Sequence, residues 1–384
     1  MPYSNLKDFI RISEKFSYQY YAKEVDWRNV TEIVLNNQEL SVSDRNLVKQ
    51  NIIFVSGMYD AKERKLGPLA IFHPLRVASL VSKIIPFEKK HNVLVALLHD
   101  IFEDIKPKNE DVENFEWVTK YPDFQKILDY LTKDEKWYLF ERLKWLTKRE
   151  RENYIQYISR LLESSESKFD KDGTPQVLAI KLADRLDNTF DLGINLKDPL
   201  DSTNLFEEII KILYGFSQSK KVRGLTPKTS FNNAECLYQL SKNIILLSLV
   251  RQHEEYFESD YVVKIFDSLV KASLKESERI ALRILNSPIN FDKKACIIET
   301  IEYSISGKFD SITLKSDFSS LDGLFLSKFE FENKDERKEE LKNLNRDKEL
   351  IFKCALSFAV IFLKFQSEKN FFVRGITESG INPD

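Results

Sequence analysis

The chain has little of what interrupts or cross-links a fold. Its 384 residues include only 10 glycines and 11 prolines, beside 28 phenylalanines. Such a composition favours long helices joined by few tight turns. Cysteine is scarce. Cys236, Cys296 and Cys354 are widely spaced and match no zinc motif, and their odd number argues against a disulfide framework. A charge excess of either sign is lacking too: 58 basic against 60 acidic residues leave a formal −2. That balance argues against a general polyanion binder, though not against a local basic pocket. The longest apolar run near the end, Cys354 to Leu363, contains Ser357 and is too short to span a bilayer, so no membrane partner is expected. Met1 is followed by a polar, charged segment, so no secretory signal is expected and a reducing cytoplasm is the default location.

What remains is a globular composition, 42% hydrophobic and 31% charged, at a length that suggests two domains. Helical spacing of apolar residues recurs along the whole chain. Residues 1–55 read as two helices, with Asp44 a candidate cap for the second. Gly67-Pro68 marks a loop, and His73-Pro74 opens a helix, since proline suits a first helical turn. Residues 92–104 form the next helix. Two more follow, "FQKILDYLTKDEKWYLFERLKWL" and "ERENYIQYISRLLE". A polar loop, Ser164 to Gly173, precedes "QVLAIKLADRLDNTFDL". After the helix "NLFEEIIKILYGF" comes a basic loop, Ser219 to Lys228, where the domain boundary is placed: 1–217, then 230–384. The second domain reads as helices over 232–257, 259–275, 277–286, 292–305 and 335–366, with a short β-hairpin near 309–332. The fold expected is therefore all-α.

Two places set polar residues where apolar stripes run out. "NVLVALLHDIFED" ends a core-forming run in His99-Asp100, with Glu103-Asp104 a turn later. On one continuous helix these four side chains would fan over about 140° of its surface. In the helix beginning at Gln176, the stripe Val177, Ile180, Asp184, Asn188 starts apolar and turns polar. An aspartate extending an apolar stripe should point inward, where it needs a partner. With His73 at its helix start, three helices present two imidazoles and two carboxylates. That mixed N/O set suits manganese, iron or zinc better than calcium or a thiolate-selected metal. Each element alone has a plainer account: His73 as a helix-start hydrogen-bonder, Asp184 paired with Lys181 or Arg185, Glu103 and Asp104 as a solvated helix end. The combination favours a metal centre.

The stretches "RKLGPLAIFHPLRVA", "VALLHDIFED" and "IKLADRLDNT" together resemble the HD superfamily of metal-dependent phosphohydrolases, and within it the hydrolase domain of the RelA/SpoT group, including small alarmone hydrolases. The resemblance covers about residues 45–215. It implies an all-α HD-domain helical bundle in which His73, His99, Asp100 and Asp184 are the metal ligands. It makes Glu103 and Asp104 the acidic pair that positions or deprotonates the attacking water. Arg64 and Lys65 would lie beside the nucleotide, and Asn188 would contact substrate. It implies Mn2+, with Fe2+, Zn2+ or Mg2+ as alternatives, and removal of a 3′-pyrophosphate from guanosine tetra- or pentaphosphate. The pocket departs from the family's pattern at Tyr59, Lys62, Leu66, Ala70, Asp187 and Asp191, the last two adding negative charge unless Asp187 points off the site. The ligand set is intact while the pocket is altered. Other expectations therefore stand beside the first: an HD nucleotidase, a hydrolase of RNA-end phosphates, or a regulatory HD module with reduced catalysis. RNA as a partner rests on the basic loop Ser219 to Lys228, which a solvated interdomain linker explains more simply. The C-terminal domain carries no catalytic motif and one histidine, His253.

Overall fold

The structure, a computed structural model, describes residues 6–59, 70–104, 116–163, 176–192, 232–312, 321, 329 and 334–382, except 21, 23, 37, 87, 88, 151 and 289. The chain divides into two compact units. One comprises Met1–Glu152 and Arg160–Ser230; the other comprises Asn153–Ser159 and Phe231–Asp384. The short run 153–159 is thus grouped with the second unit, which no composition shift in the sequence marks.

The first unit is built from helices α1 (Leu6–Tyr20), α2 (Trp27–Leu35), α3 (Val42–Met58), α4 (Phe72–Ile84), α5 (Lys89–Leu98), α6 (Ile101–Asp104), α7 (Glu116–Thr119), α8 (Pro122–Asp129), α9 (Lys133–Leu146), the C-terminal end of α10 (Tyr154–Glu163), whose residues up to Ser159 fall in the second unit, and α11 (Gln176–Leu192). Helix α2 lies where the sequence reading had none. Asp26 caps it, accepting from the N–H groups of Arg28 and Asn29, and Asn36 closes it in the left-handed region. Helix α3 is capped by Ser41 rather than Asp44. The Ser41 hydroxyl accepts from the Asp44 N–H, which places Asp44 in the first turn, where its charge suits the helix dipole. The stretch read as one helix from Phe124 to Leu146 is two. Thr132 and Glu135 form a capping box that starts α9 afresh.

Helices α4 and α11 are central. Every position from Phe72 to Ser82 is buried, as is nearly all of α11. A helix covered on all sides belongs in a core. Helix α4 packs against α5, α2 and α11, and α1 closes the layer through Phe9 on Phe190 and Phe16 on Phe72.

The second unit contains α12 (Asn233–Arg251), α13 (Asp260–Leu285), α14 (Lys293–Ile305), α15 (Lys334–Leu344) and α16 (Lys348–Ser367). Helix α13 runs unbroken through the point at which 259–275 and 277–286 were read as separate helices. Conversely 335–366 is interrupted, because Asp347 caps α16 by accepting from the Leu350 N–H. Helix α16 is longer than the 354–363 run suggested and, at 20 residues, is long and apolar enough to cross a membrane. Its apolar character has another use here. Ile351, Phe352, Phe358, Ile361, Phe362 and Phe365 are buried in the unit, where α16 packs on α13. A two-stranded hairpin, β1 (Ile376–Thr377) with β2 (Gly380–Ile381), supplies the only strands among the described residues. The hairpin expected near 309–332 falls largely outside the described residues, as does the basic loop 219–228.

Candidate metal centre

The site lies where α4 begins, α5 ends and α11 passes its midpoint. His73 is in the first turn of α4. Helix α5 stops at Leu98, so His99 and Asp100 form the break before α6. The expected continuous helix over 92–104 is therefore divided at its most polar pair. Asp100 restarts the chain, its carbonyl accepting from the N–H groups of Glu103 and Asp104 at 3.1 and 2.9 Å. The break matters because it brings His99 and Asp100 to bear on one point together, which adjacent residues on a straight helix would not do. Asp184 comes from α11, and so does Asp187, one turn further along, which is 114 residues from His73 in the sequence and lies against the far side of its ring.

The four donor atoms converge. His73 Nε2 lies 3.2 Å from His99 Nε2, 3.2 Å from Asp100 Oδ2 and 3.2 Å from Asp184 Oδ1. His99 Nε2 lies 3.3 Å from Asp100 Oδ1 and 3.6 Å from Asp184 Oδ1. One ligand atom from each residue lies within 4.8 Å of every other. Ligands about 2.1 Å from a shared ion, at roughly 90–110° to one another, stand about 3.0–3.4 Å apart. Four of the five separations fall in that range, and His99 Nε2 to Asp184 Oδ1, at 3.6 Å, lies just above it.

Its hydrogen bonding points the same way. His99 Nδ1–H donates to the Ala96 carbonyl at 2.8 Å, and His73 Nδ1 faces the Asp187 carboxylate at 2.7 Å. Both partners can only accept, so both Nδ1 atoms carry the hydrogen. In the neutral rings each Nε2 then presents a lone pair, aimed at the other and at two carboxylates. Four acceptors facing one another in a buried site need a cation between them, either protons or a metal ion. A divalent ion fits this donor set.

The electrostatics show the same need. Burial alone would depress the His99 pKa, but the Asp100 and Asp184 carboxylates outweigh it and hold the imidazole protonated well above its ordinary range. Burial likewise works to raise Asp100 and Asp184. The two histidines overcome it at Asp100, and Lys181 with the same histidines overcomes it at Asp184, so both carboxylates stay ionised. Without metal, the proton on His99 offsets part of this carboxylate charge.

Glu103 sits at the solvent-accessible rim. One of its oxygens accepts from the Lys148 backbone N–H at 2.6 Å. Desolvation by the packed atoms around it, then the Asp100 charge, push its pKa up to about 7. Asp104 is also exposed, and its Oδ2 accepts from the Tyr59 hydroxyl at 3.2 Å. Asn188 Nδ2 donates to Asp184 Oδ1 at 2.6 Å, and Lys181 Nζ to Asp184 Oδ2 at 2.7 Å. Both readings of Asp184 thus coexist: one oxygen joins the cluster, while the other is paired with Lys181. Arg64 and Lys65 lie outside the described residues, as do Lys62 and Leu66.

Residues 71–189 match the HD domain. The HD domain is that of metal-dependent phosphohydrolases, and in this chain it contains the whole cluster and both rim carboxylates. No curated protein and no solved structure matches the chain.

Asp187 takes the alternative in which it points off the site, and Asp191, expected to add negative charge to the pocket, goes with it: both are buried and face Arg76. Arg76 donates from Nε to Asp187 Oδ1 at 2.8 Å, and from NH2 to Asp187 Oδ2 at 3.0 Å and Asp191 Oδ1 at 3.1 Å. Sequence reasoning missed Arg76. The available signal was its place one turn after His73, on a helix with hardly another charge.

Proposed function

We propose that this chain hydrolyses a phosphate or pyrophosphate ester of a nucleotide, with a guanosine polyphosphate carrying a 3′-pyrophosphate as the first substrate to test. The observation carrying this reading is the convergence of His73, His99, Asp100 and Asp184 with a proton-accepting carboxylate, Glu103, at the rim. His73, His99, Asp100 and Asp184 would hold a divalent ion, manganese being the first candidate. When bound, that ion supplies Lewis-acid chemistry, acidifying water and offsetting phosphate charge.

The chain's own groups do the rest. Glu103 keeps one oxygen on the Lys148 N–H, leaving the other to take a proton from the attacking water. A carboxylate with a pKa near neutrality suits that task better than an ordinary one, because it both accepts and releases a proton readily. Asp104, held by Tyr59, orients the same water. Lys181 and Asn188 fix Asp184, so that carboxylate presents one oxygen inward and does not swing. Arg64 and Lys65 would bind the phosphates, and pairing of Asp187 and Asp191 with Arg76 keeps their charge from repelling an anionic substrate.

The test is a nucleotide panel assayed with Mn2+ present, reading phosphate and pyrophosphate release. Pyrophosphate released from guanosine tetraphosphate supports the proposal. Release from other nucleotides or RNA ends alone moves it to the nucleotidase or RNA-end reading. A fully metal-loaded protein that turns over nothing on the panel favours a regulatory module.

A further inference from the structure

Arg76 and Asp187 are the most deeply buried charged pair in the described part of the first unit, both 0% exposed. Burying two charges is costly, and an apolar pair of similar volume would commonly serve stability as well. The pair does more than neutralise itself. Asp187 Oδ2 accepts from Arg76 NH2 and lies 2.7 Å from His73 Nδ1, so a single oxygen joins guanidinium and imidazole. Arg76 is fixed in turn. Its guanidinium lies 4.4 Å over the Phe9 ring, and NH1 reaches the Ser13 hydroxyl at 3.5 Å, both on α1.

We infer that Arg76 and Asp187 are positioning residues for the metal centre: together they fix the ring orientation and tautomer of His73, so that Nε2 and not Nδ1 faces the ion. The inference rests on the metal-centre reading and deepens it. His99 receives the same service from the Ala96 carbonyl, a main-chain acceptor set by the end of α5. His73 stands in the first turn of α4 and has no earlier turn of its own helix to supply one, so the acceptor must come from another helix. Asp187 supplies it from α11. A carboxylate there without a counter-cation would leave an unbalanced buried charge, and Arg76, one turn after His73, provides the balance. Arg76 gives this carboxylate two parallel donors through the planar fork that lysine lacks, which fixes the plane of Asp187 and hence that of the imidazole.

The experiment uses the full-length protein with Zn2+ and Mn2+ as probes. The wild-type chain, labelled with 15N-histidine and loaded with Zn2+, should show His73 protonated at Nδ1, with a proton slow to exchange with water. A His73 ring protonated at Nε2, or one averaging between tautomers, overturns the inference without any variant. The double variant Arg76→Met, Asp187→Leu removes both charges together and leaves neither partner of the pair stranded. Provided it retains helical circular dichroism, it should bind both ions about 10- to 100-fold more weakly, the usual cost of losing an outer partner of a metal-ligating histidine. It should also lose the slow-exchanging Nδ1 proton, a signature that a purely packing role would not move. Wild-type affinity in the folded double variant overturns the inference. Asp100→Ala separates the two failures. If Asp100→Ala binds metal like the wild type, the metal-centre reading falls; if it loses metal while the double variant keeps it, only the positioning role of Arg76 and Asp187 falls.

Discussion

The backbone N–H of Lys148 donates to Glu103 Oε1 over 2.6 Å, tying a rim carboxylate to a segment 45 residues further along the chain. An amide oxygen can accept that bond as well as a carboxylate, but it cannot take a proton from water. Glu103→Gln should therefore keep the fold and the metal and lose turnover, with kcat falling about 10²- to 10⁴-fold and KM little changed. Metal content and steady-state kinetics on the best panel substrate check it. Undiminished kcat would remove Glu103 from the chemistry.

The same carboxyl sets an expected pH dependence. Desolvation and the Asp100 charge raise Glu103 to about 7 in the metal-free protein. A base works when deprotonated, so turnover should climb with pH through the Glu103 pKa. A bound cation opposes the effect of Asp100, so the climb should be centred below 7 in the loaded enzyme. A pH–rate profile for kcat/KM that is flat or falling over about pH 5–7 would contradict this.

Metal binding should itself depend on pH, because His99 holds its proton well above the ordinary histidine range while Asp100 and Asp184 stay ionised. The imidazolium must lose that proton to bind a cation. Affinity should therefore rise about tenfold per pH unit while one proton is displaced, and calorimetry in buffers of different ionisation enthalpy should report proton release. The metal-free protein should behave in the opposite sense. A raised histidine pKa contributes stability that is complete below about 6.5 and is lost as pH climbs through the raised value. The lowered Asp pKa values contribute stability that is present above about 3.9 and lost as pH falls through them. Zero proton release on binding would refute the imidazolium cluster.

Loss of a ligand should be visible in stability as well as in binding. At a free metal concentration of about 100 times Kd, the wild type should gain about 2.7 kcal/mol. Asp100→Ala should gain almost nothing under the same conditions. Denaturant unfolding with and without Mn2+ measures both, and equal gains would exclude Asp100 as a ligand.

Away from the site, Arg142 joins three helices. Its NH1 donates to Asn92 Oδ1 on α5 and Gln176 Oε1 on α11, each at 2.8 Å, and its guanidinium lies 3.7 Å over the Tyr138 ring. Arg142→Ala should cost about 2–4 kcal/mol, because it removes two buried hydrogen bonds and a cation–π contact and opens a cavity. Urea unfolding of the metal-free protein checks this, and a loss under about 0.5 kcal/mol would show that neighbouring groups compensate.

The sequence by itself determined the helical class and the four converging side chains. Apolar spacing is a local property, and so is the failure of an apolar stripe at His99, Asp100 and Asp184. It did not determine where helices end. The break after Leu98, the capping box at Thr132 and the cap at Asp347 compete with strong helical periodicity on both sides, and a cap is decided by a few hydrogen bonds rather than by pattern. Nor could the sequence say what Asp187 does. Arg76 and Asp187 are 111 positions apart, and an aspartate in a motif next to a metal ligand reads equally well as pocket or as support. Only the packing of α4 on α11, with α1 closing over Arg76, set that carboxylate between Arg76 and the back of His73. Side-chain direction inside a core follows from which helices enclose it, and that enclosure exists only in the tertiary structure.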